Sequence, residues 1–348
     1  MLNRLKRFIT VSALSNTVMI FVIILILISA NLGSGFSSAV DIFHEGEMLG
    51  NYWHMQDYYR GKSNFPLVIH GAMDYWPSLF AGLIFGEDKI IYGTRLIVVV
   101  TTTISWGIFV FTGISILSRN SKNNLLILVF VAIFCLTLPI FSLNVMAIEE
   151  SPVGLRDPFL LLQMLLLIHY YISKESKVFF LAAMFALLPI TLYWSYDRGV
   201  AAVLACMSLL MYLIYSKQYR EFFASIFALV ISVTLLEITN IAGSLVENLS
   251  NVLYWSGASG EVWGTKFNPN LQSIGALLKS FAIWLPLIFV GTVFGLAYIS
   301  NKIDKNTVPV GIILFVFVIE LILIKSAYNR PNLHRGLMSV WPSILLFL

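Results

Sequence analysis

The chain has 348 residues, of which 58% are hydrophobic and only 11% are charged. Soluble domains carry about 25% charged residues, so this composition excludes a water-soluble protein. The net charge of +4 is less informative than its distribution along the chain. The apolar runs are continuous rather than alternating, which is typical of membrane-spanning helices and not of transmembrane strands. We therefore predict an all-α polytopic membrane protein that forms a single domain over residues 1–348.

A helix needs about 20 apolar residues to cross the hydrocarbon core of a bilayer. Runs of this kind predict about 9–10 transmembrane helices, near residues 11–31, 90–117, 124–143, 157–173, 178–195, 199–216, 222–243, 273–299 and 308–326. A last run starts near residue 338 and stops at WPSILLFL, inside what should be a full span. We therefore expect a truncated or split form, with a partner subunit as one consequence.

The distribution of lysine and arginine predicts the orientation of these spans. The N-terminus and the short connections at 118–123, 174–177, 217–221 and 301–305 are rich in lysine and arginine. The positive-inside rule places all of them in the cytoplasm. The protein is then expected in the cytoplasmic (inner) membrane, with a cytoplasmic N-terminus and most of its acidic side chains on the outer face.

The largest region outside the predicted spans is the first outer loop, residues 32–89. Within it, EMLGNYWHMQDYYRG spaces aromatic residues as a helix does, and such rings favour the membrane–water boundary. This pattern predicts a surface helix that ends at Gly61. The apolar stretch 66–86 is long enough to cross the membrane. The charge pattern allows only an even number of crossings before residue 118, so we expect it to lie against the outer face.

The motif DIFHEGE at the start of this loop supplies the first candidate site. Asp41, His44 and Glu45 are spaced i, i+3 and i+4 and would share one face of a helix. A carboxylate there could act as a general base, and Asp41 with Glu45 could hold a divalent metal ion. The alternative is a solvated loop with a capping aspartate. His70 and Asp74, spaced i, i+4 in an apolar segment, are expected to line the same cavity or to form a structural pair.

Cationic groups are expected to complete the site. Arg156 in the second outer loop is a candidate phosphate ligand, since a guanidinium matches phosphate oxygens. Arg330, His334 and Arg335 in the last outer loop suit a lipid-linked phosphate or act as a headgroup anchor. The adjacent pair Asp197 and Arg198 in WSYDRGV is expected at a tight outer turn, where a structural role is the simplest interpretation. 

The order of these motifs resembles the GT-C superfamily of membrane glycosyltransferases. The segment HEGEMLGNYWHMQDYYRGKSNFPLVIHGAMD and the stretches LYWSYDRGV and YNRPNLHRGLMSVWP look like bacterial proteins related to the mannosyltransferase-type GT-C enzymes. The resemblance implies a polyprenyl-phosphate sugar donor used at the outer face. It also implies that Asp41 is the base or metal-associated carboxylate, and that Arg330 or Arg335 binds the donor phosphate.

We therefore expect a glycosyltransferase that works in polysaccharide biosynthesis at the cell envelope. Its partners would be the lipid bilayer and a polyprenyl-phosphate-linked sugar, without nucleic acid. A divalent metal ion is the one cofactor suggested. A transporter or flippase of lipid-linked saccharide is the alternative, and it would need polar residues along the spans. A polymerase or ligase for surface glycans would share the donor chemistry.

Overall fold

A computed structural model describes residues 44–120, 153–173, 177–262, 309–329 and 341–342, together with Gly291 and Gly295. All regular secondary structure among these residues is helical. The one β-bridge among them is an isolated pair between Ile241 and Gly243. The predicted spans at 11–31, 124–143 and 273–299, and the run from 338, lie largely or wholly outside the described residues.

The described residues form ten α-helices and two short 3₁₀ helices. The α-helices are α1 (His44–Tyr59), α2 (Trp76–Phe85), α3 (Ile90–Asn120), α4 (Pro158–Ile172), α5 (Lys177–Ala186), α6 (Leu188–Trp194), α7 (Tyr196–Tyr215), α8 (Tyr219–Thr239), α9 (Leu245–Val262) and α10 (Val310–Asn329). The 3₁₀ helices are Ala72–Asp74 and Glu87–Lys89.

Within the part of the chain that the structure describes, four segments are long and apolar enough to cross a membrane: Glu87–Gly113, Lys177–Trp194, Tyr196–Tyr215 and Tyr219–Thr239. They match four of the predicted spans, so the protein is an α-helical multi-pass membrane protein. The total of nine to ten spans stays a prediction.

The segment 66–86 does not form a membrane-length helix. Its helical part, α2, has ten residues and is therefore only about 15 Å long, half the thickness of the hydrocarbon core. It ends at Phe85. The next residue, Gly86, caps the helix with a positive φ of 81°, which suits a residue without a Cβ. This length agrees with the prediction that the segment does not cross.

Helix α1 forms where the surface helix was predicted. It ends at Tyr59, two residues before the predicted stop at Gly61, which has a φ of 67°. The main-chain N–H of Lys62 donates to the carbonyl oxygen of Asp57 at 2.8 Å. This bond satisfies a carbonyl group that the end of a helix would otherwise leave open.

The predicted span 178–195 is interrupted between α5 and α6 because Pro189 has no N–H and cannot continue the helix ladder. Side chains from two neighbouring helices donate hydrogen bonds to carbonyl oxygens next to the break. Gln163 Nε2 donates to Met184 O at 3.1 Å, and the Ser232 hydroxyl donates to Ala186 O at 2.6 Å. Irregular backbone at membrane depth needs such partners, so α4 and α8 stabilise the break.

The reversal of direction between α6 and α7 occurs at Ser195, whose backbone is extended (φ −146°, ψ 113°). Asp197 and Arg198 therefore belong to the first turn of α7 and do not form the turn itself. The prediction of a tight turn at this pair was wrong by two residues. Apolar spacing places the start of the span at 199, whereas the helix starts at Tyr196 because its first turn carries the polar residues.

One buried apolar cluster joins α3, α4, α5, α7 and α10. Helix α7 presents Ala201, Ala202 and Ala205, all with 0% exposure, to this cluster. Small residues allow close approach of helix backbones in a bilayer. By contrast, only 6% of the span in α8 is buried within the protein, so most of this helix is partly or fully exposed.

We expect Gly71→Ala to destabilise the protein more than Gly61→Ala. Both glycines have a positive φ, which costs an alanine on the order of 1 kcal/mol. Only at Gly71 would the new Cβ also meet backbone oxygens, at 2.7 Å from Tyr193 O and 2.9 Å from Trp194 O. At Gly61 nothing lies within 4 Å. Thermal unfolding of the two variants in detergent should show the larger drop in Tm for Gly71→Ala; equal drops would contradict this packing.

Candidate functional site

One end of the bundle gathers polar residues from segments far apart in the chain; we call it the polar end. The starts of α4 and α7 lie there together with the ends of α6 and α8, and α1 and the loop before α2 cover them. The main-chain N–H of Tyr196 donates to His70 O at 2.8 Å, and Asn251 Nδ2 donates to Pro66 O at 3.2 Å. The Tyr58 hydroxyl contacts Glu247 at 3.2 Å. These bonds hold α1, the loop before α2 and the start of α9 over the helix ends.

A buried ion pair attaches α1 to α3. Arg95 Nε donates to Glu45 Oε1 at 2.6 Å, and Arg95 Nη2 donates to Glu45 Oε2 at 2.8 Å. The two side chains are 4% and 5% exposed. A two-bond arginine–carboxylate contact fixes direction as well as distance, so this pair determines how α1 lies on α3.

This pairing changes the interpretation of Glu45. Both of its carboxylate oxygens face the guanidinium of Arg95, which favours a positioning role over the predicted catalytic or metal-binding role. His44 is the first residue of α1. Asp41, the preferred base and metal ligand, lies outside the described residues, so its predicted role stays a prediction.

Glu47, His70 and Asp74 form a compact cluster at the polar end. Each offers one ligand atom, and these atoms all lie within 4.8 Å of one another. The main-chain N–H of His70 donates to Asp74 Oδ2 at 2.7 Å, and His70 Nδ1 lies 3.1 Å from Asp74 Oδ1. Asp74 is buried and His70 is partly exposed. The aspartate therefore holds the imidazole in one orientation.

This cluster has side chains that could hold a divalent cation. Metal–ligand bonds of about 2.1 Å place ligand atoms roughly 3–4 Å apart, so small side-chain rotations would close the cluster around an ion. One imidazole with two carboxylates is a common donor set for such ions. A carboxylate that orients a ligating histidine is also a frequent arrangement around metals.

Two arginines and two aspartates form a second group at the polar end. Arg198 Nε donates to Asp157 Oδ1 at 2.6 Å, and Arg198 Nη1 donates to Asp197 Oδ2 at 3.1 Å. Arg156 Nη1 lies 3.4 Å from the same Asp197 oxygen. The Ser195 hydroxyl donates to Asp197 Oδ1 at 2.6 Å. Asp197 also interacts electrostatically with His70, so this group adjoins the cluster of Glu47, His70 and Asp74.

Both arginines have a nitrogen that could donate a further hydrogen bond. Arg156 Nε and Arg198 Nη2 are buried and have no hydrogen-bond partner among the described residues. The side chain of Arg198 is only 3% exposed. A buried guanidinium N–H without an acceptor is costly, and a phosphate oxygen is an acceptor that suits it.

The structure brings together His70, Asp74 and Arg156 among the predicted site residues. Arg330, His334 and Arg335 lie outside the described residues, and their predicted role stays a prediction. The sequence reasoning did not assign Glu47, Asp157 or Arg198 to the site. Glu47 stands in the same acidic motif as Asp41, but only the fold shows that α1 directs it toward the His70–Asp74 pair.

Comparisons with protein-family models, with characterised proteins and with solved structures found no match to this chain. 

We expect Glu45→Gln to lower stability by several kcal/mol, because it removes the negative charge from the two-bond contact with the buried guanidinium of Arg95. Glu47→Gln on the same helix is the matched control. It removes one of two neighbouring carboxylates at the cluster, so it should change stability little.

Thermal unfolding of both variants in the same detergent measures this difference. The double variant Glu45→Gln/Arg95→Met should recover much of the loss, because no buried charge is then left unpaired. A Glu45→Gln variant as stable as the parent protein would contradict the positioning role.

Proposed function

We propose that this protein is a membrane glycosyltransferase of GT-C type that moves a sugar from a polyprenyl-phosphate donor to an acceptor hydroxyl. The observation that carries the proposal is the juxtaposition at the polar end. A carboxylate–imidazole cluster of Glu47, His70 and Asp74 adjoins Arg156 and Arg198, each of which has a buried nitrogen without a hydrogen-bond partner among the described residues. Proton removal and phosphate binding are the two tasks that this transfer requires.

The chemistry follows from these groups. The acceptor oxygen attacks the anomeric carbon of the sugar, the bond from that carbon to the phosphate oxygen breaks, and polyprenyl phosphate leaves. The acceptor proton passes to a base at the cluster. His70 suits this role because Asp74 orients its ring and would stabilise the imidazolium that forms. Asp41 and His44 stay further candidates, while Glu45 positions α1.

The departing phosphate gains negative charge as the bond breaks. Arg156 Nε and Arg198 Nη2 are the donors available to stabilise it, and both lie where little water competes. Asp157 and Asp197 hold the two guanidinium groups in place. Arg330, His334 and Arg335 are proposed to extend this cationic surface.

In the alternative arrangement, Glu47, His70 and Asp74 would hold a divalent metal ion, which would polarise a hydroxyl or a phosphate oxygen. His70 would then be a ligand, and the acceptor proton would pass to Asp41 or His44 instead. The protein residues then serve to fix the ion, to orient the acceptor and to exclude water. We propose that the polar end faces outward from the cytoplasmic membrane, because the lysine- and arginine-rich connections follow the opposite ends of α3, α4 and α7.

The buried polar groups at membrane depth favour the enzyme over a transporter. A transport path needs polar side chains directed into an aqueous cavity. Within the described spans, Gln163 and Ser232 donate to backbone carbonyls at the α5–α6 break, and Thr191 donates to Gln163 at 3.2 Å. These groups serve helix packing.

The proposed activity is tested with protein reconstituted in lipid nanodiscs and a panel of radiolabelled polyprenyl-phosphate sugars. We expect sugar release from one donor when a membrane-extract acceptor is added. His70→Ala and Arg156→Ala should lower the rate by about 100-fold or more, the usual size of an acid–base or charge-stabilising contribution. Lys62→Ala, an exposed change in the same loop, is the control. Equal rates in all variants would refute the assignment of this site.

Metal binding gives a separate test that needs no substrate. Titration of Mn²⁺ or Zn²⁺ by calorimetry should show one site per chain, and His70→Ala and Asp74→Asn should each weaken it by about 10–100-fold. Asp88→Asn, an exposed acid near α2, should leave it unchanged. Binding that is insensitive to His70→Ala would place the ion elsewhere.

A further inference from the structure

A groove of about 830 Å³ lies between α1, α2 and the carboxyl end of α8. We call it the aromatic groove; its main lining residues are Tyr58, Tyr59, Trp76, Phe80, Leu83 and Asn240. Its volume is within the range of sites for small organic molecules, roughly 300–1,000 Å³. The site described above does not use it.

The lining of the aromatic groove is uncharged. None of its lining residues is acidic or basic, and burial raises the pKa of Tyr59 to about 12. Burial also raises the pKa of Tyr58. Both phenols therefore stay neutral at physiological pH, and the groove offers no counter-charge to an ionic ligand.

Most polar groups of the aromatic groove already have partners. Asn240 Nδ2 donates to the Tyr58 hydroxyl at 2.9 Å, and that hydroxyl contacts Asn240 Oδ1 at 3.1 Å. The Tyr59 hydroxyl donates to Ile241 O, and Gln56 accepts from Arg60 at 2.9 Å. A sugar ring would lose hydrogen bonds to water here without full replacement. A hydrocarbon chain has none to lose and packs on the ring faces.

The aromatic groove is continuous with the lipid-facing surface. Leu83 is 81% exposed at its rim, and Ile238, just outside it on α8, is 75% exposed. Since most of α8 is partly or fully exposed, a chain can enter sideways from the bilayer. The other side of the groove lies beside the polar end, because its lining residue Trp76 follows Asp74 of the cluster by two residues.

We propose that the aromatic groove binds the isoprenoid chain of the polyprenyl phosphate, in the part next to the phosphate. The proposed function supplies the identity of this lipid as the sugar carrier. The chain leaves one apolar environment for another, so its binding depends on packing and not on hydrophobic transfer. Isoprenoid double bonds reduce the number of rotatable bonds, so ordering this chain against rigid rings costs less entropy than ordering a saturated chain.

Photo-crosslinking tests this proposal. The probe is a short polyprenyl phosphate with a diazirine near its phosphate end and an alkyne tag, added to the full chain in nanodiscs of phosphatidylethanolamine and phosphatidylglycerol. We expect labelled peptides from α1, α2 and the end of α8. Leu83→Trp and Thr239→Trp, which fill the groove, should lower labelling about fivefold or more, a loss near 1 kcal/mol.

Two positions on the same helices provide matched controls. Ile84→Trp and Val230→Trp place the same ring on exposed positions of α2 and α8 outside the groove lining, and labelling should stay at the parental level. Unlabelled polyprenyl phosphate should compete. Equal labelling in all four variants, or equal labelling of the groove by a diazirine phospholipid, would overturn the proposal.

The labelling experiment does not depend on sugar transfer. Groove labelling without transfer from any donor would leave the lipid site standing and refute the glycosyltransferase. Transfer that persists while the groove variants label normally would keep the enzyme and refute this lipid site.

Discussion

The buried pair of Glu45 and Arg95 is the constraint on which the polar end depends. Helix α1 is not one of the membrane-length helices, and this pair is its buried ionic contact with α3. The bidentate contact fixes the direction of α1 on α3, which brings Glu47 toward His70 and Asp74 and sets Tyr52 and Tyr58 along the aromatic groove. A charge pair inside an apolar bundle contributes little net stability but tolerates few alternative arrangements. Specific placement is therefore its main effect.

A second constraint acts from the other side of the cluster. Gly71 approaches the carbonyl oxygens of Tyr193 and Trp194 so closely that no Cβ fits, and His70 O accepts the N–H of Tyr196. The loop before α2 is thereby attached to the α6–α7 reversal. The same reversal carries Asp197 and Arg198, so one contact places the imidazole and the guanidinium groups side by side.

The fold was largely predictable because hydropathy and helix-stop signals act locally. Continuous apolar runs predicted the four membrane-length segments that the described residues form. Gly61 predicted the end of α1 to within two residues. The break at Pro189 was not predicted, because hydropathy alone stays continuous through it, although the proline is the residue that cannot donate to the helix ladder. The site was predictable only in part. His70 and Asp74 are neighbours in sequence, whereas the partnership of Glu45 with Arg95, 50 residues apart, arises from packing that no local pattern shows.

The sparse burial of α8 has a mechanical consequence. This helix is held mainly by α5, with only 6% of its span buried, and its carboxyl end forms one wall of the aromatic groove. A membrane-spanning helix adapts to bilayer thickness by tilting. Thicker and thinner membranes would therefore move that wall by different amounts, which makes the width of the lipid entrance sensitive to the composition of the surrounding membrane.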